Sequence, residues 1–562
     1  MKKRNKILAL LLAMTMCGTA FAGCGAETKT SESTEAVSTE TVAGTETTAT
    51  EPVAEGPLKN ADIYPLDSDK TFTVVTSAAP TLEQKDSTII TKLMEETTGV
   101  SIDWSYMTKD QLALAITSKE IPDAMFLAAA VQDKTTIYEY GKAGFYVNFM
   151  DYLDIMPNLA AIFEANPDAL EVVQNEDGSV YTLPKHVVSN TGYNNLIYYR
   201  TDMMKEIGWE KQPATTDEFI QYCKDLQAHY GATDKEFIAF NGYQANYMNW
   251  GGSRFVQYFF PAFGELLVTG ISVDSKDNIA FGAATEQYKH YLEFMNELWN
   301  SGAFNTNIYT QEAAASQALA AGNHVGIAGN HNGHAAANFA SGKLEMDVMA
   351  PLTSEYWDTQ HWYQSPAWAI SYSMISTKCE DIETMCKWFD ALYAPADDPL
   401  NEEGTVWGAV TFLGEIGVDV KLDDAAMTYT VMEHEGIETA TFLAQEGFSQ
   451  SLYNGYEGGF PYTQDPNTNV GMKGRGTVEN LWPYAETPII ASNLTLTQDE
   501  SDIYNDAWAD INPYITEMTA KFITGELNIE TDWETYLEEL NKMDLPKVIE
   551  VYTAAYERYK AK

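Results

Sequence analysis

Hydrophobic residues in the first part of the body switch between two periods, which predicts parallel strands covered by helices. TFTVVT (71–76), VSIDWSY (100–106) and PDAMFLA (122–128) are short apolar runs of strand type. The segments between them carry apolar residues at helical spacing, and Thr108 with a Gln three residues later has the spacing of a capping box. This β-α-β-α-β order is typical of a mostly parallel sheet in an α/β protein.

The rest of the body mixes long helices with short strands. Residues 286–300 place six large apolar side chains on one helix face, and Thr215 with Glu218 marks another helix start. The other predicted elements are strands at 325–329 and 369–376, a helix that starts at Thr531, and a last helix with Pro546 in its first turn.

The N-terminus has the layout of a secretory signal peptide. Four cations in the first six residues precede the apolar run ILALLLAMTM (7–16), and a small pair, Ala22 and Gly23, precedes Cys24. The apolar run is too short to span a bilayer. A cysteine at this place resembles a bacterial lipoprotein processing site, so residues 1–23 are the predicted signal peptide and Cys24 the predicted lipidated residue. Ordinary secretion with an incidental cysteine is the alternative.

Residues 24–57 are predicted to form the lipidated start and a disordered tether. The segment consists mainly of Thr, Ser, Glu, Ala and Val. It cannot bury enough apolar surface to offset the entropy lost on ordering. As a flexible coil, the 33 residues from 25 to 57 would reach ~30–35 Å. The folded body is therefore expected to stay close to a membrane on a flexible tether.

Composition restricts the class of the folded body. About 505 residues remain after the tether, which is more than one hydrophobic core usually supports, so at least two lobes are expected. The formal charge is −47, or −51 without the four cations of the signal peptide. A chain this acidic is a poor partner for nucleic acid or anionic lipid. Cys223, Cys379 and Cys386 are interpreted as buried apolar residues, with a disulfide between the last two as the minor alternative.

Four segments carry a family resemblance that extends over nearly the whole chain. They are EDGSVYTLPKH (176–186), LIYYRTDMMKEIGWEKQPATTDEF (196–219), TEQYKHYLEFMNELWNSGAFNTN (285–307) and DWETYLEELNKMDLPKVIEVYTAAYERY (532–559). With the lipoprotein start, they resemble the bacterial extracellular solute-binding proteins of ABC transporters, in the LplA-like carbohydrate-binding branch related to maltose-binding protein. The resemblance implies an α/β, two-lobed periplasmic-binding-protein-like fold of maltose-binding-protein type, with a cleft between the lobes.

The same resemblance places the lobe boundaries. It implies that the chain first crosses between lobes near Tyr198–Tyr199, returns near Ala369–Ser376, and crosses again around residues 395–405. The expected domains are residues 58–195 plus 369–398 for the first lobe and residues 196–368 plus 399–562 for the second.

Neither catalysis nor metal binding is predicted. The patterns G-x-S-x-G, H-E-x-x-H and G-x-x-x-x-G-K-[ST] are absent from the sequence. His324, His331 and His334 lie within eleven residues, but no cysteine or clear carboxylate ligand stands beside them. A polar loop that offers hydrogen bonds is favoured over a transition-metal site. Residues 229–242 and 465–471 lack the ligand pattern of an EF-hand, so no metal or other cofactor is expected.

Aromatic residues in polar, Gly-rich or Pro-rich segments suggest flat platforms for sugar rings. The apolar CH faces of a sugar stack on indole, while its hydroxyls bond to polar neighbours. Trp299, Trp388 and Trp533 lie instead on periodic helix faces and are interpreted as core residues. For any single tryptophan, packing explains the sequence as well as binding does. The candidate substrate-binding residues are Trp250, Arg254, Asn330, His331, Asn332, Trp362, Tyr363, Trp368 and Trp407.

These observations predict a non-enzymatic, monomeric binding component of an ABC importer, lipid-anchored at the outer face of the cell membrane. The resemblance implies three partners: an oligosaccharide, the transmembrane subunits of a permease, and the membrane that holds the anchor. A peptide-binding lipoprotein of the same transport class is the first alternative. A surface glycoside hydrolase and a surface adhesin are the alternatives from other classes.

Overall fold

The computed structural model describes most of the folded body. The described residues are 63–76, 95–96, 98–105, 107–126, 134–175, 177–186, 196–242, 254–329, 345–364, 366, 368–394, 420–423, 425–426, 428–431, 463–464, 476 and 479–561. The predicted signal peptide, Cys24 and the tether lie outside them.

Strands and helices alternate through the first two thirds of the chain, and helices dominate the C-terminal end. The strands are β1 Thr71–Thr76, β2 Ser101–Ser105, β3 Ala124–Phe126, β4 Pro184–His186, β5 Ile197–Arg200, β6 Ile238–Asn241, β7 Ile271–Val273, β8 Ile279–Phe281, β9 Val325–Gly329, β10 Met346–Val348, β11 Trp362–Tyr363, β12 Trp368–Ile370, β13 Met374–Ile375, β14 Val420–Asp423, β15 Thr428–Val431, β16 Thr463–Gln464 and β17 Ala485–Glu486. The α-helices are α1 Lys109–Ser118, α2 Lys134–Lys142, α3 Pro157–Ala165, α4 Pro167–Val173, α5 Thr201–Glu206, α6 Thr216–Tyr230, α7 Arg254–Phe259, α8 Glu286–Asn300, α9 Ala313–Ala321, α10 Ile382–Ala391, α11 Gln498–Thr524, α12 Ile529–Lys542 and α13 Leu545–Lys560. Short 3₁₀ helices cover Phe149–Ile155, Phe260–Phe263, Gly282–Ala284, Trp482–Tyr484 and Ala491–Asn493.

The first sheet has the strand order β13-β3-β1-β2. β1 pairs in parallel with both β2 and β3, while β13 is antiparallel to β3. β3 is buried throughout, and Val74, Val75 and Ala124 are fully enclosed, whereas β2 at the edge of the sheet is buried only at Trp104. The parallel arrangement predicted from the β-α-β-α-β order is therefore confirmed.

The second sheet has the strand order β10-β5-β9-β6. β6 and β9 run parallel to each other, and β5 is antiparallel to β9 and to β10. Both faces of β5 are covered, because all four of its residues are buried. This sheet is the centre of the larger hydrophobic core.

The hydrophobic cores define two lobes. A core with Val74, Phe126, Leu159 and Trp388 lies in the first lobe, which comprises the described residues of 63–186 and 368–394. A smaller cluster around Leu112 and Met125 packs on the other side of the first sheet. A larger core with Tyr198, Phe240, Leu298 and Trp533 lies in the second lobe, which comprises the described residues of 196–363 and 479–561.

Local sequence signals placed several helices correctly. The Thr108 side chain and the Gln111 side chain close the predicted capping box at the start of α1. Thr215 caps α6 by accepting a hydrogen bond from the backbone N–H of Glu218. The predicted helix over residues 286–300 is α8, residue for residue, and Pro546 lies in the first turn of α13.

Two element predictions are wrong. The segment 369–376 is two short strands in different sheets, because Tyr372 between them has a φ of 57°, which breaks an extended strand. The helix expected to start at Thr531 begins at Ile529, because the Asn528 side chain accepts the backbone N–H of Thr531 and so caps the helix earlier.

Cys223, Cys379 and Cys386 are free and buried, as predicted. Burial raises the pKa of the Cys379 thiol to about 11, so this thiol stays protonated and unreactive at neutral pH. In the described part of the chain, no helix combines the length and the apolar composition needed to cross a bilayer.

Candidate functional site

Among the described residues, the chain changes from one core to the other at three places along the sequence. It does so between Leu183 and Leu196, between Trp362 and Trp368, and between Ala394 and Leu481. Two lobes joined by several separate segments can move relative to each other about those segments. The predicted domain boundaries stay a prediction, since residues 58, 195, 398 and 399 lie outside the described residues.

The carboxyl ends of the parallel strands indicate where a ligand would bind in the second lobe. β6 ends at Asn241 and β9 ends at Gly329. In α/β folds, ligands bind beyond these strand ends. The segment with Trp250 follows β6, and Asn330 directly follows Gly329. Asn330, His331, Asn332, Trp250 and Trp407 lie outside the described residues, so their binding roles stay predictions.

A buried network of amides fixes the end of β6. The Asn305 side chain donates to Asn241 Oδ1 at 2.7 Å and to Gln311 Oε1 at 2.6 Å. Asn241 in turn donates from Nδ2 to Ser316 Oγ at 3.0 Å. Asn241 is fully buried and Asn305 is 2% exposed, so these bonds are shielded from water and rigid. This network was not predicted from the sequence, because its members are polar residues spread over 76 positions.

Trp362 is enclosed by the core of the second lobe. Its side chain is 1% exposed. The indole meets the edge of Tyr258 at a centroid distance of 5.8 Å and an angle of 68°. Tyr258 is held by a hydrogen bond from its hydroxyl to the carbonyl of Ala350 at 2.7 Å. In this arrangement the ring has no open face for a sugar, and its predicted binding role stays untested.

The other described candidates lie on either side of the same crossing segment. Tyr363 is half-buried and lines a cavity of the second lobe. Trp368 is 7% exposed, belongs to the core of the first lobe, and is paired with His186 in the ladder of β12 and β4. Arg254 is the first residue of α7, and its side chain lies outside the described part. The structure therefore brings Tyr363 and Trp368 to one crossing, in different lobes.

Several buried polar atoms near this crossing have no hydrogen-bond partner among the described residues. They are the Nε1 atoms of Trp357, Trp362 and Trp482 and the Nε2 atom of His361. His361 is oriented by its other ring nitrogen, Nδ1, which lies 2.7 Å from Glu486 Oε1. Buried polar atoms of this kind are satisfied in proteins by water or by a ligand hydroxyl.

The two ring nitrogens of His324 are each paired with a carboxylate. Its Nδ1 lies 2.5 Å from Asp234 Oδ2 and its Nε2 lies 3.2 Å from Glu236 Oε2. The hydrogen bond to His324 lowers the pKa of the Asp234 carboxyl. Within the described residues, no group of three or more His, Cys, Asp or Glu side chains is placed to hold a metal ion. His331 and His334 lie outside those residues.

The C-terminal helix approaches the first lobe at Tyr559. This tyrosine of α13 lies close enough to Glu171 of α4 for the carboxylate to act on its hydroxyl. Burial, together with the charges of Glu171 and Asp168, raises the pKa of Tyr559 to about 12. The hydroxyl therefore remains a donor throughout the physiological pH range.

Comparison with known proteins gives consistent matches over most of the chain. A fructooligosaccharide ABC transporter substrate-binding protein, FusA of Streptococcus pneumoniae, is 24% identical over 524 residues, covering 89% of this chain and 92% of the relative. Its structure in complex with kestose superposes with a TM-score of 0.67 at 22% identity, covering 88% of this chain and 100% of that chain. A solute-binding protein of Bifidobacterium longum infantis, described as binding HMO, gives a TM-score of 0.71 at 17% identity, covering 88% and 99%.

The solved structures share the two-lobed fold, so the predicted periplasmic-binding-protein-like architecture is confirmed. The family model of bacterial extracellular solute-binding proteins matches residues 88–397, which is more than half of the 562 residues. The chain belongs to the family of bacterial extracellular solute-binding proteins.

Proposed function

We propose that this protein is the carbohydrate-binding component of an ABC importer and captures an oligosaccharide between its lobes. The observation that carries the proposal is the pair of separately cored lobes, joined by segments with aromatic residues on both sides of one crossing, Tyr363 and Trp368. The relatives support the substrate class, since they are described as binding fructooligosaccharide and HMO.

Capture works by closure of the lobes. A sugar that contacts both lobes stabilises the closed form, because only that form completes its contacts. The closed form, acting as a monomer, is the state that the transmembrane subunits of the permease would recognise. Lobe boundaries at residues 58–195 plus 369–398 and 196–368 plus 399–562 are part of this proposal.

The protein acts by binding and not by catalysis. The family and the relatives consist of binding proteins, and binding alone suffices for a transport role. A peptide ligand is the first alternative, and glycan turnover would point to a hydrolase. A surface adhesin would bind a glycan without closing.

A glycan panel is expected to contain at least one ligand that stabilises the protein. Fructo-, malto-, galacto- and xylo-oligosaccharides of two to five units, with short peptides as the control set, would be tested by thermal unfolding. A ligand at 100 times its dissociation constant adds ~2.7 kcal/mol to the free energy of unfolding, which such an assay detects. Small-angle scattering with the best glycan should show a smaller radius of gyration than without it.

The outcomes separate the alternatives. Stabilisation by peptides alone would overturn the carbohydrate assignment and keep the transport role. Glycan binding without compaction would contradict lobe closure and favour an adhesin. Release of shorter sugars during the incubation would contradict the non-enzymatic role.

The proposed location is the outer face of the cell membrane, with a lipid on Cys24. The family is extracellular, and the acidic body has little attraction of its own for anionic lipid. Two or more acyl chains on Cys24 would anchor the protein stably, where one chain would not.

Replacing Cys24 by Ala is expected to remove the protein from the membrane fraction or to leave its signal peptide uncleaved. The reason is that lipid attachment and signal cleavage both need the cysteine in this type of processing. Fractionation with immunoblotting measures the change, and Cys223→Ala, at a buried position of the body, is the matched control. Normal cleavage and membrane retention of the Cys24 variant would contradict the anchor.

A further inference from the structure

The second lobe contains a cavity of about 420 Å³, a size within the usual range of small-molecule pockets. It lies between α7, the 3₁₀ helix that follows it, the start of β7, and α11. The described residues that line it are Val256, Gln257, Phe260, Pro261, Leu267, Val268, Thr269, Gly270, Tyr363, Ile490, Trp508 and Asn512.

The lining of the cavity is chemically suited to a neutral sugar ring. None of the described lining residues carries a charge, although the chain has 81 Asp and Glu residues. A charged ligand would find no counter-ion there, and leaving its charge unpaired in an apolar site is costly. The walls combine three aromatic residues, Phe260, Tyr363 and Trp508, with two side-chain amides, Gln257 and Asn512. Aromatic faces for stacking and amides for hydroxyl groups are what a sugar ring requires.

Trp508 is fixed in place before any ligand arrives. Tyr504, one helical turn earlier, stacks on it at a centroid distance of 5.2 Å. The Phe281 ring meets it edge to face at 6.3 Å and 88°. Trp508 itself is only partly buried. A rigid, accessible indole binds a ring with little loss of side-chain entropy, so it is a preorganised platform.

The cavity begins close to the ligand-binding end of the second sheet. Phe255 of α7 packs on Phe240 at 4.9 Å, next to the end of β6. Gln257 follows Arg254 by three residues, which is roughly 4.5 Å along a helix axis. Tyr363 closes the same cavity from the segment that crosses to the first lobe. The cavity therefore adjoins α7, which packs next to the end of β6, and the segment that crosses to the first lobe.

We infer that this cavity receives the terminal ring of the captured oligosaccharide, stacked against Trp508. The inference rests on the proposed function and adds a subsite that belongs to one lobe alone. Its consequence is a preference for chain length: glycans long enough to reach Trp508 bind more tightly than shorter members of the same series.

Calorimetric titration of the fructo- and malto-oligosaccharide series, two to five units long, tests the inference on the full folded body. The wild type should show one step of tighter binding as the chain lengthens, at a stoichiometry of one. Trp508→Ala should reduce that step by about 2- to 12-fold, the range that corresponds to aromatic stacking. The shortest binding glycan should keep its affinity in this variant.

A second variant blocks the cavity without removing any side chain. Gly270 lines the cavity, a Cβ added there meets nothing within 4 Å, and its φ lies outside the left-handed region, so Gly270→Leu adds a bulky side chain at the cavity wall without backbone strain. Gly270→Leu should abolish the gain in affinity with chain length that Trp508→Ala reduces. The partly buried Trp299, which packs on Phe304 and Tyr309 elsewhere in the lobe, gives the matched control Trp299→Ala, in which the step should persist.

The failures are distinguishable. If the wild type binds no glycan of either series or of the wider panel, the proposed function fails and the inference fails with it. If the wild type shows the length step and both Trp508→Ala and Gly270→Leu retain it, only the cavity assignment is overturned. A stoichiometry of two would show that the cavity binds a separate molecule and would also overturn the assignment.

Discussion

Replacing Asp390 by Ala is expected to lower the free energy of unfolding by about 3–5 kcal/mol. Asp390 is fully buried at the end of α10. Its carboxylate accepts the backbone N–H of Leu159 at 2.8 Å, the backbone N–H of Asn158 at 3.2 Å and the Asn158 side-chain amide at 3.0 Å. These backbone groups are in the first turn of α3, whose own N-cap residue, Met156, offers no side-chain cap. The alanine variant would remove the carboxylate that these donors share, while the Asn158 amide would keep its bond to the Asp390 backbone carbonyl.

The pH dependence of this contribution follows from the pKa of Asp390. Burial raises that pKa to about 7, although the donors of Leu159 and Asn158 oppose the rise. The unfolded chain has an Asp pKa of ~3.9. The folded state therefore holds a proton that the unfolded state loses between about pH 4 and pH 7. The stability contributed by this group is fully present below pH ~4 and decreases as the pH rises through ~7.

Chemical denaturation followed by circular dichroism at pH 5 and pH 8 measures both effects. Asp510→Ala is the control, because this Asp is exposed on α11, and its loss should change stability by no more than ~0.5 kcal/mol. The difference in stability between the wild type and Asp390→Asn should be smaller at pH 8 than at pH 5. A loss below ~1 kcal/mol for Asp390→Ala would contradict the capping role assigned to the carboxylate.

Local signals in the sequence were sufficient for elements whose causes lie within a few residues. The capping box at Thr108 and the apolar face of α8 depend only on neighbours one or two turns away, so both were predicted correctly. The predicted helix start at Thr531 was wrong because the capping residue is Asn528, three residues earlier. The whole of α11 was missed, and Pro513 within it is a residue that normally argues against a helix interior.

Contacts between distant parts of the chain were harder to predict, both in the core and at the candidate site. The contact of Asp390 with Asn158 joins residues 232 positions apart, and neither local sequence predicts it. Tyr363 and Trp508 line one cavity, although they belong to the two separate sequence segments of the second lobe. Polar surroundings drew attention to both Trp362 and Tyr363, and of these two it is Tyr363 that lines the cavity. Alternation along a strand sends adjacent residues to opposite faces, and the local sequence does not say which face is the core.

Replacing Trp362 by Ala is expected to lower the free energy of unfolding by about 3–5 kcal/mol, as for a core truncation. The ring is 1% exposed, packs against Tyr258, and lies in β11, where it is in register with Ala485 of β17. Trp533→Ala should cost a similar amount, because that ring is 2% exposed and packs on Tyr536 at 5.0 Å. Both rings belong to the core of the second lobe.

Measuring stability and glycan affinity together decides between the packing and the binding role of Trp362. If it packs, Trp362→Ala behaves like Trp533→Ala: both variants unfold more easily, and the fraction that remains folded binds the best glycan as tightly as the wild type. Leu114→Ala, at a position that is 68% exposed, should leave both quantities nearly unchanged. If Trp362→Ala keeps its stability and loses affinity by about 0.5–1.5 kcal/mol, the ring is a sugar platform after all, because stacking on an open face contributes that much. Such a result would also require the lobes to open a path to Trp362 that the described arrangement closes.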